Sequence, residues 1–276
     1  MIKDVLVSLP VGEAPTAVVD YAVSVATAFD AHIAGLTFAY EPVVPGTVFD
    51  GFAADIIANF RAESEKLGQA AIAKFEEKAR RASLSAESHM LESGPAGASE
   101  LFAQIARHFD LAVLPQAGPE TEGREELTIE GALFGSGRPI LVVPYIQKAG
   151  LKLDRVMVCW DGSRAAARAI GDAMPFLERA KAIEIVTVAK QQEPADELPG
   201  VDISRHLARH KISVDFKRIV ANDIEISSAI LSYAADAGTD FVVMGGYGHS
   251  RLREFVLGGA TRGILESMTV PVLMSH

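Results

Sequence analysis

The 276-residue sequence holds one cysteine, Cys159, and one tryptophan, Trp160. A single thiol excludes an intramolecular disulfide and any cysteine-based metal motif. Long apolar runs are also lacking. The longest, such as 139–146, fall far short of the roughly 18 residues a membrane-crossing helix needs, and the opening MIKDVLVSLP has no signal-peptide cleavage pattern. A soluble, cytoplasmic protein with no membrane partner is therefore expected. Basic charge is short as well: 26 Lys and Arg stand against 36 Asp and Glu, for a net charge of −10. That balance weighs against nucleic acid as a partner, because binding a phosphate backbone needs a basic face. Nor is there a GxxxxGK[ST] loop, an HExxH pair or a GxSxG elbow. What is present is ordinary: hydrophobic residues at 49% and charged ones at 22% fit a compact globular chain. At about 150 residues per domain, two domains are expected.

The chain repeats itself. Lys3-Asp4-Val5-Leu6-Val7 echoes Asp154-Arg155-Val156-Met157-Val158, and Asp110-Leu111-Ala112-Val113-Leu114 echoes Asp240-Phe241-Val242-Val243-Met244. Arg138-Pro139-Ile140-Leu141-Val142 likewise echoes Val270-Pro271-Val272-Leu273-Met274. The offset is 151 for the first pair, 130 for the second and 132 for the third. The first copy thus carries roughly 20 additional residues, which fall between Tyr40 and Ser85 and read as a longer helix. The expected domains are residues 1–147 and 151–276, joined by Gln147-Lys148-Ala149-Gly150.

Five strands are expected in each copy: 4–9, 31–40, 85–92, 111–115 and 139–144, then 155–160, 182–189, 212–220, 241–245 and 270–275. Several are unbroken apolar runs, the pattern of strands buried on both faces of a parallel sheet. Helical spacing fills the gaps. Val18, Ala22, Val25, Ala26 and Phe29 share one face, as do Ala166, Ala169, Ile170, Ala173 and Leu177, with Ser163 as N-cap and Pro175 bending or ending the helix. The fold class is α/β, two tandem doubly wound, mainly parallel five-stranded sheets.

Ligands of such sheets bind at the carboxyl ends of the strands. In the second copy the first strand ends in Asp161-Gly162-Ser163, and the fourth in Met244-Gly245-Gly246-Tyr247-Gly248-His249. Gly258 and Gly259 open the final helix, on which Ala260, Ile264, Leu265 and Met268 are spaced for one face. Free N–H groups at a helix start, with the helix dipole behind them, favour an anion such as a phosphate chain. His249, Ser250, Arg251 and Arg253 either neutralise that charge or are solvated loop residues. Asp161 equally suits a plain Asp-Gly turn. Ser163 reads as a cap, since no His and acid are arranged around it as in a triad. His206 and His210 lie four apart, but no carboxylate or cysteine joins them, so a solvated face is favoured and no metal site is assigned. Cys159 and Trp160 read as packed in the sheet.

The spacing Gly245-x2-Gly248-x9-Gly258, with a strand before it and a helix after, resembles the nucleotide-binding loop of the universal stress protein family, and nearly the whole chain resembles two tandem copies of that domain. The resemblance implies ATP or a related adenine nucleotide as ligand. It places the phosphates and ribose at Gly245, Gly248 and Gly258, the adenine at Asp161, with Met244 packing nearby, and Thr187 and Val188 at the base pocket. Gly259 departs from the pattern, which has Ser or Thr there; its N–H remains, as does that of Ala260, while Thr261 offers a hydroxyl from the first helical turn. In the first copy Pro10 and Pro115 replace Asp161 and Gly245, so that cradle is broken and the copy reads as degenerate. The resemblance also implies that the two copies pair within the chain, with 141–144 set against 272–275. The expected role is regulatory: stress-response signalling through partner choice, with ATP hydrolysis slow at most. The competing readings are an interaction scaffold without nucleotide and, more remotely, an adenylyl transferase, whose HxGH-like or KMSK-like motifs are missing. The sequence leaves open whether Mg accompanies the phosphates and whether chains form a homodimer.

Overall fold

The computed structural model describes residues 1–12, 17–41, 52–118, 123–189, 200–222, 224–247 and 259–276. The chain divides into two compact units, Met1–Arg138 and Pro139–His276. The first contains β1 (Asp4–Ser8), α1 (Ala17–Phe29), β2 (His32–Tyr40), α2 (Phe52–Arg81), β3 (Ala86–Ser93), α3 (Pro95–Ala106), β4 (Leu111–Pro115) and α4 (Arg124–Gly135). Its strands run parallel in the order β3-β2-β1-β4. The second unit contains β5 (Ile140–Val143), β6 (Val156–Cys159), α5 (Arg164–Leu177), β7 (Ile183–Ala189), α6 (Gly200–Arg209), β8 (Asp215–Val220), α7 (Ile226–Ala237), β9 (Phe241–Gly245), α8 (Gly259–Ser267) and β10 (Val272–Ser275).

Strand order in the second unit is β5-β10-β9-β6-β7-β8, parallel except for β5, which runs antiparallel to β10 with Val142 opposite Val272 and Leu141 opposite Leu273. By sequence repeat β5 is the fifth strand of the first copy; by packing it belongs to the second unit. The unit boundary accordingly falls between Arg138 and Pro139, ahead of the polar stretch 147–150.

The cores follow from the apolar runs. Val5, Leu6, Val7, Ile33, Leu36, Leu111 and Val113 are buried in the first sheet, and Val156, Val158, Ile185, Val243, Val272 and Leu273 in the second. The helix faces named by their spacing are buried too, from Val18 to Phe29 on α1 and from Ala166 to Leu177 on α5. The extra length of the first copy is helical: α2 has 30 residues where α6 has 10. Pro175 lies in the last turn of α5, which ends two residues later at Leu177. A proline there removes a single helical N–H close to where the helix must stop anyway.

Both copies use the same two devices. Asp110, just before β4, accepts the N–H groups of Lys3 (2.8 Å) and Asp4 (3.1 Å), and Asp240, just before β9, accepts those of Asp154 (3.1 Å) and Arg155 (3.3 Å). Each carboxylate thereby pins the start of the copy's first strand. The last two helices of each copy also meet at a serine and a glycine. A Cβ on Gly131 of α4 would collide with Ser99 Oγ of α3, and one on Gly263 of α8 would stand 2.5 Å from Ser227 Oγ of α7. No helix among the described residues is long and apolar enough to cross a membrane.

Candidate functional site

In the second unit the chain leaves β6 toward β7 and β8, then returns to the other side of β6 to form β9 and β10. Strand order reverses between β6 and β9, and the carboxyl ends of these two strands define the crevice in which doubly wound sheets bind ligands. Most of the residues singled out by sequence stand around it. Gly245 closes β9, Met244 before it is buried, and Asp161 follows the end of β6. Thr187, buried, and Val188, half-buried, are near the end of β7, which pairs with β6 through Cys159 and Val186. Gly248, His249 and Gly258 lie outside the described residues.

Local contacts show what shapes this end of the sheet. Asp161 Oδ1 accepts the backbone N–H of Ser163 at 2.9 Å across Gly162, whose φ of +75° favours glycine. Ser163 caps α5, its hydroxyl accepting the Ala166 N–H at 3.1 Å. Gly245 is held close to that helix start. A Cβ there would stand 2.5 Å from Ala166 N and 2.7 Å from the Ala165 carbonyl carbon, so this glycine is required by packing independently of any ligand.

Past β9, Gly246 N–H donates to Ser275 O at 2.9 Å, and Tyr247, at φ +49°, donates its N–H to Thr261 Oγ1 at 3.1 Å. The buried Thr261 hydroxyl thus ties the strand exit to the first turn of α8. Gly259 and Ala260 precede it, exposed and half-buried, and among the described residues nothing lies within 4 Å of where a Gly259 Cβ would be. No acidic residue occupies the first turn of α8. That arrangement suits an anion.

The first unit differs at the matching place. Pro115 ends β4 and Pro10 follows β1. The first turn of α4 carries Glu125 and Glu126, and the Arg124 guanidinium lies 5.0 Å from the centre of the Tyr40 ring. Negative charge in that first turn disfavours an anion at the start of α4. Overall charge runs the same way, since residues 1–138 hold 20 acidic and 10 basic side chains whereas 139–276 hold 16 of each. The first unit therefore carries a net charge of −10 and the second none, counting Lys, Arg, Asp and Glu. This partition is countable in the sequence once the unit boundary is known.

Cys159 ends β6 beside Asp161, and burial, with the Asp161 charge adding to it, pushes its thiol up to about 12. Only the thiolate attacks disulfide reagents. At pH 8 the native protein is expected to react with such a reagent at least a hundredfold more slowly than the urea-unfolded chain, as followed by absorbance of the released thiol.

The architecture is that of the doubly wound α/β proteins that bind ligands at strand tips. Residues 152–276 match the sequence profile of the universal stress protein family. A universal stress protein of Synechocystis is 26% identical over 174 residues, a match spanning 60% of this chain and only 57% of that protein. The crystal structure of a universal stress protein from Archaeoglobus fulgidus superposes with a TM-score of 0.73 at 18% identity, covering 98% of this chain and 94% of the other. A functionally unknown protein from Pseudomonas aeruginosa gives 0.62 at 14% identity, with 99% and 92% covered. Residues 152–276 are thus a universal stress protein domain, and the chain has the fold of the Archaeoglobus fulgidus protein along nearly its whole length.

Proposed function

We propose that the second unit binds an adenine nucleotide, ATP first among them, and that occupancy controls partner choice in a stress response rather than feeding turnover. The carrying observation is the first turn of α8, which holds no acidic residue and whose Thr261 hydroxyl is bonded to the strand exit at Tyr247. Phosphates would lie against the amides of Gly259 and Ala260, and the base toward Asp161, Thr187 and Val188. Asp161 keeps Oδ2 for this purpose, since Oδ1 is the oxygen that closes the turn. A Mg ion would accompany the phosphates as their counter-charge. An interaction scaffold without nucleotide is the second reading. It is favoured by the packing need for Gly245, which explains that glycine with no ligand at all.

Trp160, the sole tryptophan, sits half-buried at the tip of β6 and reports on the crevice. Titration with Mg-ATP is expected to change its fluorescence saturably. At about 100 times the dissociation constant, ligand linkage of about 2.7 kcal/mol should raise the melting temperature by about 5–10 °C. No change in either signal at millimolar ATP would leave the scaffold reading standing.

A further inference from the structure

The two copies differ most in the helix between their second and third strands, and the difference leaves two apolar surfaces uncovered. α2 is fixed to the tips of β2 and β3: Arg61 reaches Glu41 at 2.7 Å and Glu92 at 3.2 Å, and Ser64 Oγ accepts the Tyr40 N–H at 2.8 Å. From there toward its C-terminus the helix packs on the sheet, with Phe75 and Ala79 buried and Gly68 set against Met90. Residues 52–60 therefore extend past the strand ends, for about 13 Å at about 1.5 Å per residue. Their sequence, FAADIIANF, holds seven apolar residues and one charge. Phe60 is 48% exposed, and Ala58 and Asn59 beside it are exposed as well. A helical stretch this apolar is ordinarily covered.

The matching strand tip of the second copy has the complementary shortage. The Leu9 N–H bonds to Leu36 O and the Trp160 N–H to Val186 O, which makes Leu36 equivalent to Val186 and Ala39 to Ala189. Ala39 pairs with Glu92 and Ala189 with Val220, so Val220 stands where the first copy has Glu92. In the first copy Arg61 of α2 lies on that position; α6 has 10 residues against the 30 of α2. Val220 is 53% exposed, and Ile224 and Ile226, on the way into α7, are 56 and 45% exposed. Three aliphatic side chains thus form an apolar rim at the tip of the edge strand β8. Clustered exposed apolar residues mark a contact surface.

We propose that a second copy of this chain supplies the cover: the N-terminal turns of α2 in one copy, through Phe60, lie on the rim of Val220, Ile224 and Ile226 in another. The first copy shows that a helix fits over this strand tip, since α2 crosses it at Glu92. An uncovered helix of that kind is present on every chain, at the same concentration as the rim. The contact joins different surfaces of the two chains, so it is heterologous, and it is either reciprocated across a two-fold axis or continued from chain to chain. A few side chains on each side make a small interface of the weak, transient class.

The test is sedimentation velocity of the full chain, without nucleotide, from about 5 to about 500 μM, the range in which a small interface is populated. Concentration-dependent association is expected. Phe60→Glu and Ile224→Glu should each weaken it at least tenfold, while Leu127→Glu, at an exposed leucine of α4, should leave it unchanged. The remaining arm is an equimolar mixture of the Phe60→Glu and Ile224→Glu chains. The first keeps its rim and the second its α2, so the mixture should form two-chain complexes and nothing larger, and more tightly than either variant alone. The substituted side chains are all exposed, and circular dichroism melts check that each variant is folded. A parent chain that is monomeric at about 500 μM overturns the proposal. So does association that survives either single change, which marks pairing of like surfaces, or a mixture that pairs no better than its components.

Discussion

Replacing Gly245 with alanine is expected to destabilise the second unit by about 2–3 kcal/mol, the upper part of the range for forcing one methyl into close-packed structure. The new Cβ would meet Ala166 N at 2.5 Å and the Ala165 carbonyl carbon at 2.7 Å, both backbone atoms of the first turn of α5. A flexible side-chain tip could swing aside; a capped helix start cannot. The melting temperature should fall by about 5–10 °C, equally with and without ATP. Gly171, inside the same helix with nothing within 4 Å of its Cβ position, is the control, and alanine there should stabilise by about 0.5–1 kcal/mol. Urea unfolding of the two variants separates the cases. A Gly245→Ala protein as stable as the parent would return this glycine to a purely ligand-directed role.

Gly259→Ser is expected to do the opposite, leaving stability within about 0.5 kcal/mol while tightening ATP binding at least tenfold. No described residue lies within 4 Å of that Cβ position to block the hydroxyl. A hydrogen bond to a charged phosphate contributes about 1.5–3 kcal/mol, and 1.4 kcal/mol is a factor of ten. Calorimetry on parent and variant measures the difference directly. Equal affinities would show that the phosphates do not lie on the start of α8.

The repeat made the fold legible. Strands buried on both faces must be apolar throughout, so 111–115 and 241–245 could be bounded to the residue as β4 and β9. The Ser163 cap was legible for a similar reason, because its chemistry is local. The role of Gly245 was not. Sequence offers a glycine at a strand end, which suits both a close ligand and a close helix, and only the position of Ala165 and Ala166 distinguishes them. Thr261 is comparable: read as a donor toward a ligand, it accepts the Tyr247 N–H, an interaction made 14 residues away along the chain.

The antiparallel strand β5 has a consequence for the timing of folding during synthesis. Val142 and its partner Val272 are 130 residues apart. At about 5–20 residues per second on the ribosome, roughly 6–26 seconds separate the appearance of β5 from that of β10. During that interval Ile140–Val143 is a fully apolar strand whose β10 partner has yet to be made. Contacts of such long sequence separation close slowly. Pausing the ribosome between 144 and 270 should therefore expose the nascent chain to chaperone capture at this strand, long before the rest of the second unit exists to receive it.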